Sequence, residues 1–147
     1  MPRKLYESDA DLKREKSTIA FVKDKMGLGE VVKLPFKYKI DYAELNRMED
    51  GGRSIINLIE IKTRNVSKRA YDTYMISADK FMTAKEYTHS FNVGFKLIVR
   101  WRDVVGCYSL KQGDLFSLGF NGRFDRGDWQ DVEPVVYIPI REFKDVV

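Results

Sequence analysis

Apolar residues recur every three or four positions between residues 8 and 26, the spacing that brings side chains onto one face of a helix. The stripe consists of Leu12, Ile19, Val22 and Met26, together with one acidic residue, Glu15. The sequence "GLGE" follows, and its glycines favour the left-handed conformation that ends many helices. The pattern therefore predicts a first helix over residues 8–26.

Two segments rich in β-branched and aromatic residues come next, "VVKLPFKYKIDYAEL" and "SIINLIEIKTR". The residues between them, "NRMEDGG", have the Asp-Gly-Gly chemistry of a tight turn. These features predict a hairpin. Because Pro35 cannot donate a ladder hydrogen bond, the early part of the first segment is expected at a sheet edge or in a bulge.

A second helical stripe is predicted after "TRNVS", with Asn65 or Ser67 as its N-cap. Its members are Tyr71, Tyr74, Met75, Ala78, Phe81 and Met82. Two further strands, "FKLIVRWRD" and "VVGCYSLK", follow and are joined by a short turn near Asp103. A helix between the hairpin and these strands indicates a crossover connection, which produces a mixed sheet.

The last part of the chain is predicted as a long loop, "GDLFSLGFNGRFDRGDWQDVEP", followed by a short strand, "VVYIPI". The expected fold class is α/β, a mixed central β-sheet flanked by helices. With 147 residues, the chain is expected to form one domain over residues 1–147.

Composition narrows the class of protein further. Hydrophobic residues make up 44% and no apolar run is long enough to cross a membrane, so a globular protein without membrane association is expected. One cysteine, Cys107, excludes a disulfide within the chain, and the N-terminus lacks the pattern of a secretory signal. A cytoplasmic location is the expectation. A net charge of +4 is only a modest indication of a polyanionic partner.

Candidate active-site residues lie at the end of the segment "IINLIEIK". Glu60 and Lys62 are two residues apart on a predicted strand, so both side chains leave the same face. For a Glu and a Lys at this spacing alone, a solvated surface pair is the favoured interpretation. Asp41, at the end of "KYKID", would approach Glu60 across the predicted hairpin. Two converging carboxylates repel each other unless a cation such as Mg²⁺ lies between them.

Glu15 is a third candidate acid, because it occupies an apolar stripe where Leu, Ile or Met would be expected. The alternative is that its long side chain reaches solvent past Leu12 and Ile19. Either outcome is compatible with the helical pattern.

The order of these elements resembles the PD-(D/E)XK nuclease superfamily, whose restriction-endonuclease-like core has the order α-β-β-β-α-β. An acid in the first helix (Glu15), an acid at a strand end (Asp41) and "EIK" (residues 60–62) stand in the positions of that family. The resemblance spans residues 8–103, and "EIKTR", "ISADKF" and "VVYIPIREF" are similar to small phage and bacterial members. One departure is that "KID" stands where the family often has "PD".

The resemblance implies a role for each of these residues. Asp41 and Glu60 would bind Mg²⁺ with the backbone carbonyl of Ile61 and, directly or through water, with Glu15. Mn²⁺ is expected to substitute for Mg²⁺. Lys62 would orient and help deprotonate the attacking water or stabilise charge on the phosphate in the transition state.

Cations around this site are candidates for contact with a nucleic-acid backbone, although each has an alternative as a solvated surface charge. The candidates are Arg14, Lys16, Arg64, Lys68, Arg69 and Lys80. The N-terminal end of the second helix would add free amides that favour phosphate. Tyr71 and Tyr74 are expected in the core, with base stacking as the alternative.

The sequence thus predicts a Mg²⁺-dependent nuclease that hydrolyses phosphodiester bonds of DNA, in particular an endonuclease. One alternative is a resolvase of Holliday junctions or other branched DNA, which would require a homodimer. Another is a non-catalytic nucleic-acid-binding module with a retired site. DNA is the expected partner, with a second copy of the chain or another protein as a further candidate.

Overall fold

A computed structural model describes residues 8–35, 38–122 and 132–146. The first helix, α1, spans Asp9–Met26, as the apolar spacing predicts. Ser8 and Asp11 form a reciprocal capping box at its start, and Gly27 ends it with a φ of 65°. Within the described ranges, no helix is both long and apolar enough to cross a bilayer.

Six strands in these ranges form a mixed sheet with the order β1-β2-β3-β5-β6-β9. Their bounds are β1 Glu30–Lys33, β2 Tyr42–Arg47, β3 Arg53–Thr63, β5 Gly94–Arg100, β6 Val105–Ser109 and β9 Lys144–Val146. All neighbouring pairs are antiparallel except β3 and β5, which are parallel. The predicted hairpin is the β2–β3 pair, and Pro35 follows the edge strand β1. The predicted mixed sheet with flanking helices is confirmed.

A second sheet, which the sequence did not predict, has the order β4-β8-β7 in the described part of the chain. Strand β4 is Thr73–Ser77, β7 is Ser117–Gly122 and β8 is Val132–Pro139. The predicted long loop is therefore wrong in part, because its residues 117–122 and 132–134 pair as strands. Its residues 123–131 lie outside the described residues.

The second helix, α2, spans Ala78–Phe91, so a helix beginning near Tyr71 is wrong. In β4 the side chains of Tyr74 and Ile76 are buried while those of Thr73 and Met75 are exposed, the two-residue period of a strand. Pairing with β8 decides this conformation, which the local spacing could not distinguish from a helix. The residue that precedes α2 is Ser77, not Asn65 or Ser67.

The six-stranded sheet is covered on both faces. On one face, Val22 of α1 packs with Ile59, Ile61 and Ile98. On the other face, α2 and the second sheet enclose a larger core that includes Leu58 of β3 and Phe95, Leu97 and Val99 of β5. Residues 58–61 of β3 are therefore buried from both sides.

The first half of β3 is less buried than "IINLIEIK" suggests. Ile55 and Ile56 are 41% and 39% exposed, because the pairing of β3 with β5 begins only at Asn57. The start of this strand is therefore not its deepest part, although its residues are apolar. The most deeply buried part of β3 instead includes the acidic residue Glu60.

Candidate active site

Glu60 lies in the centre of the sheet, paired with Leu97 of β5, and its side chain is 0% exposed. Its Oε2 contacts the ammonium of Lys80 and lies 3.4 Å from Nζ of Lys62. Its Oε1 is buried and has no hydrogen-bond partner among the residues that the structure describes. Burial raises the pKa of Glu60, an effect that Lys80 and Lys62 oppose and that Asp41 reinforces.

Asp41 directly precedes β2 and lies beside the motif strand. Because Tyr42 pairs with Ile59, the hairpin register brings Asp41 next to Glu60, as the sequence predicts. The backbone amide of Ile61 donates a 3.0 Å hydrogen bond to Oδ2 of Asp41. The two acids therefore converge at the end of a rigid hairpin.

Glu15 is buried on α1, and its Oε1 lies 2.6 Å from Nζ of Lys33. The same ammonium lies 3.6 Å from Oδ1 of Asp41. Alternation along β3 directs Glu60 away from the face that Ile61 shares with α1. Glu15 is thus joined to Asp41 through Lys33 and approaches the site from the opposite face to Glu60.

Two lysine contacts at the acids were not foreseen. Lys33 belongs to the edge strand β1. Lysines are common on edge strands, where they prevent pairing with another chain, so the sequence did not indicate that Lys33 contacts the acids. Lys80 was expected farther along a helix that began earlier. Since α2 begins at Ala78, Lys80 lies in its first turn and reaches Glu60.

An open cleft of about 1500 Å³ adjoins these residues and is bordered by Asp41, Lys62 and Lys80. Among the described residues, eight cationic and five acidic side chains line it, so the cleft has a cationic excess. The cationic ones are Arg14, Lys33, Lys39, Lys62, Arg64, Lys80, Arg100 and Arg102. Of these, Lys33, Lys39, Arg100 and Arg102 were not singled out in the sequence.

The predicted DNA contacts divide into two groups. Arg64 lies over the ring of Tyr74 at 4.8 Å, and Arg14 pairs with Asp11; both line the cleft. Lys16 and Arg69 are exposed on the surface but do not line it. Lys80 also lines the cleft, whereas the remaining candidate, Lys68, does not.

Lys68 donates a 2.9 Å hydrogen bond to the carbonyl of Phe143 and lies 2.6 Å from Oδ1 of Asp145. These contacts attach the short 3₁₀ segment Lys68–Ala70 to the C-terminal strand β9. Lys68 therefore has a structural role, and its position argues against the predicted phosphate contact.

The two predicted core tyrosines have different environments. Tyr74 is buried and packs edge-on against Trp101 and Phe143, as expected. Tyr71 is 67% exposed, so its predicted core position is wrong. It precedes β4 and belongs to no helical stripe.

Comparison with known sequences decides the family. Residues 1–146 match the family described as "Phage putative PDDEXK endonuclease". The chain belongs to this endonuclease family. Membership confirms the resemblance drawn from Asp41 and "EIK", and with it an enzyme that hydrolyses DNA.

The fold of this endonuclease is similar to that of a solved nuclease structure. A nuclease from a fusselovirus is similar with a TM-score of 0.52 and 20% identity over 97% of this chain and 90% of that chain. Archaeoglobus fulgidus Hjc, a Holliday junction resolvase from an archaeal hyperthermophile, has a TM-score of 0.45 and 14% identity, covering 65% of this chain and 72% of that chain. No curated protein matches the sequence. The restriction-endonuclease-like fold is confirmed.

PD-(D/E)XK nucleases depend on divalent metal ions, and the residues present here fit such an ion. Glu60 offers a buried, unpartnered oxygen beside the carboxylate of Asp41. In the described residues no cluster of three or more acidic, His or Cys side chains is arranged to hold a metal. A pair of carboxylates suffices for Mg²⁺, which commonly retains waters and is completed by substrate phosphate.

Proposed function

We propose that this endonuclease uses Mg²⁺ held by Asp41, Glu60 and the backbone carbonyl of Ile61, with Glu15 as an accessory acid. The observation that supports this assignment is the buried Oε1 of Glu60 next to Asp41, an oxygen without a hydrogen-bond partner in the described part of the chain. A carboxylate oxygen in that position needs either a proton or a cation. Mn²⁺, which also prefers oxygen ligands, should substitute.

The bound ion would supply the positive charge that phosphodiester hydrolysis needs on oxygens that become more negative. Asp41 and Glu60 hold their oxygens in place because one is anchored by an amide and the other is enclosed in the sheet. Lys62 lies at the cleft, 3.4 Å from Glu60, where it can orient the attacking water or bind the scissile phosphate. The enclosed strand keeps these groups in fixed geometry.

We place the DNA backbone in the cationic cleft. Arg64, Lys80 and Arg14 border it, and the first turn of α2 presents amides at the same place. Exposed Arg69 and Lys16 would extend the cationic surface outside the cleft. Lys68 lies outside this proposed interface, because it does not line the cleft and is bound by Phe143 and Asp145.

The deciding experiment incubates supercoiled plasmid and linear DNA with the protein in Mg²⁺. Wild type should nick or cut the closed plasmid, as an endonuclease does, and EDTA should abolish the reaction. Lys62→Ala should slow cleavage by roughly 100-fold or more, the loss typical of a group that stabilises transition-state charge. Lys25→Ala, at an exposed position of α1, is the matched control and should cleave like wild type.

Equal cleavage by wild type and Lys62→Ala would refute the catalytic role of Lys62. If neither protein cleaved any DNA in Mg²⁺ or Mn²⁺, the site would be retired. Calorimetric titration with Mn²⁺ then shows whether Asp41 and Glu60 still hold a metal or form a structural cluster with the lysines.

Oligomeric state bears on the substrate, because symmetric cutting of a Holliday junction requires two active sites. We propose sedimentation of the protein alone and with junction DNA as the test. A monomer under both conditions would exclude symmetric junction resolution and leave simple endonuclease action.

A further inference from the structure

Lys80 and Lys62 both neutralise the buried carboxylate of Glu60, but they reach it from different elements. Lys62 is on β3 itself, two residues along the strand, and its side chain is 39% exposed. Lys80 comes from the first turn of α2 and is 21% exposed. Its ammonium makes the closer contact with Oε2 of Glu60 and also borders the cleft.

This contact cannot remain unchanged when Glu60 holds a divalent ion. An ammonium against Oε2 would then face a second positive charge in a site closed to water on its inner side. The flexible lysine side chain can withdraw, whereas the strand that carries Glu60 is fixed by pairing on both sides. The open volume available to Lys80 is the cleft that it already borders.

We propose that Lys80 is a transferable cation that neutralises Glu60 in the metal-free protein and binds a DNA phosphate once Glu60 holds a divalent ion. The inference rests on the proposed function, since it requires metal at Glu60 and DNA in the cleft. It assigns Lys80 a role different from that of the neighbouring Arg64, whose guanidinium lies over Tyr74 and has no contact with the metal-binding acids among those described. The metal site and part of the DNA site are then coupled through one side chain.

The salt dependence of DNA binding measures this transfer directly. Log K for duplex DNA falls as log salt concentration rises, and each phosphate neutralised by a protein cation adds about 0.9 to the magnitude of this slope. The slope is measured by fluorescence anisotropy with one labelled duplex, in EDTA and in Ca²⁺, for wild type, Lys80→Gln and the control Lys25→Gln. A gel run after each titration shows that the duplex stays intact.

In Ca²⁺ the slope of Lys80→Gln should be smaller than that of wild type by about 0.9, the contribution of one phosphate contact. In EDTA the two slopes should be equal, because Lys80 of the wild type is then occupied by Glu60. Lys25→Gln should match wild type in both conditions. An equal reduction in EDTA and Ca²⁺ would show a permanent phosphate contact, and no reduction in Ca²⁺ would show a purely structural ion pair; either result overturns the proposal.

A second variant keeps the test decisive if Lys80→Gln fails to fold. Glu60→Gln removes the anion that holds Lys80, so its slope in EDTA should exceed that of wild type by about 0.9. An unchanged slope would overturn the transfer. If wild type binds no DNA in either condition, the proposed placement of DNA in the cleft fails with it, whereas binding without the predicted slope changes refutes only the role of Lys80.

Discussion

The backbone amide of Ile61 donates a 3.0 Å hydrogen bond to Oδ2 of Asp41. This bond joins the residue before β2 to the middle of the "EIK" motif on β3. It orients one carboxylate beside the other without using a second side chain. Asp41 therefore combines a structural role with its proposed metal role, and the two roles can be separated by substitution.

Asp41→Asn keeps an oxygen that can accept the Ile61 hydrogen bond but removes the negative charge. The free energy of unfolding should stay within about 1 kcal/mol of wild type, because one neutral hydrogen bond replaces a charged one. Cleavage should fall by at least roughly 100-fold, the upper range for residues that only support a metal ligand. Urea unfolding measures the stability and plasmid cleavage measures the activity. A stable variant with full activity would contradict the proposal that Asp41 binds the metal.

Glu60→Gln should stabilise the metal-free protein while abolishing cleavage. Burial raises the pKa of Glu60, so the folded state retains a proton that the unfolded chain releases near the ordinary value of 4.5. The metal-free wild type should therefore lose stability as pH rises above that value, by about 1.4 kcal/mol for each unit of raised pKa.

Thermal melts of both proteins in EDTA between pH 4.5 and 7.5 measure this effect. The difference in melting temperature should grow with pH in favour of Glu60→Gln. A difference that stays constant over this range would show that Glu60 does not titrate differently in the folded and unfolded states.

Glu15→Gln tests how closely the helix acid is connected to the metal. Because Glu15 contacts Lys33, which in turn approaches Asp41, its effect on the metal should be indirect. Calorimetry should show a loss of Mn²⁺ affinity of less than about 10-fold, below the usual range for a close supporting residue. A loss as large as that of Asp41→Asn would instead make Glu15 a direct ligand.

Cys107 should react slowly with thiol reagents. It is buried on β6, and burial raises the pKa of its thiol against the opposing effects of Lys96 and Ser109. At pH 8 the folded protein should be labelled more slowly than the urea-unfolded chain, because burial both limits access to the thiol and lowers its thiolate fraction.

The raised pKa of Cys107 also changes the free energy of unfolding at alkaline pH. Above about pH 9 the unfolded chain releases the Cys107 proton before the folded protein does, so stability should fall as pH rises. Cys107→Ser should lack this part of the decline. Labelling equally fast with and without urea would show that the thiol is accessible in the folded protein.

The local sequence pattern was sufficient to predict the secondary-structure elements that carry Glu15, Asp41 and Glu60. The two-residue period of a strand places Glu60 and Lys62 on one face, and the Asp-Gly-Gly turn sets the hairpin that brings Asp41 beside them. The first helix was also predictable, because its apolar residues are regularly spaced and Ser8 and Gly27 are typical residues for its two ends. These features depend on residues close in sequence.

The second helix shows where local pattern fails. Tyr71, Tyr74, Met75 and Ala78 have helical spacing, yet residues 73–77 form β4 because their backbone groups pair with β8. The partner strand is more than fifty residues away in the sequence, so no local rule could reveal it. The later start of α2 is what brings Lys80 to Glu60.

The sequence by itself therefore determined the family pattern, the strand that carries Glu60 and Lys62, and the hairpin position of Asp41, because periodicity and turn chemistry act over a few residues. Only the tertiary structure decided that Glu60 is fully buried, that Lys33 links Glu15 to Asp41 and that Lys80 contacts Glu60. The charges that meet in this site come from separate elements, and their approach depends on how α1, α2 and the strands pack.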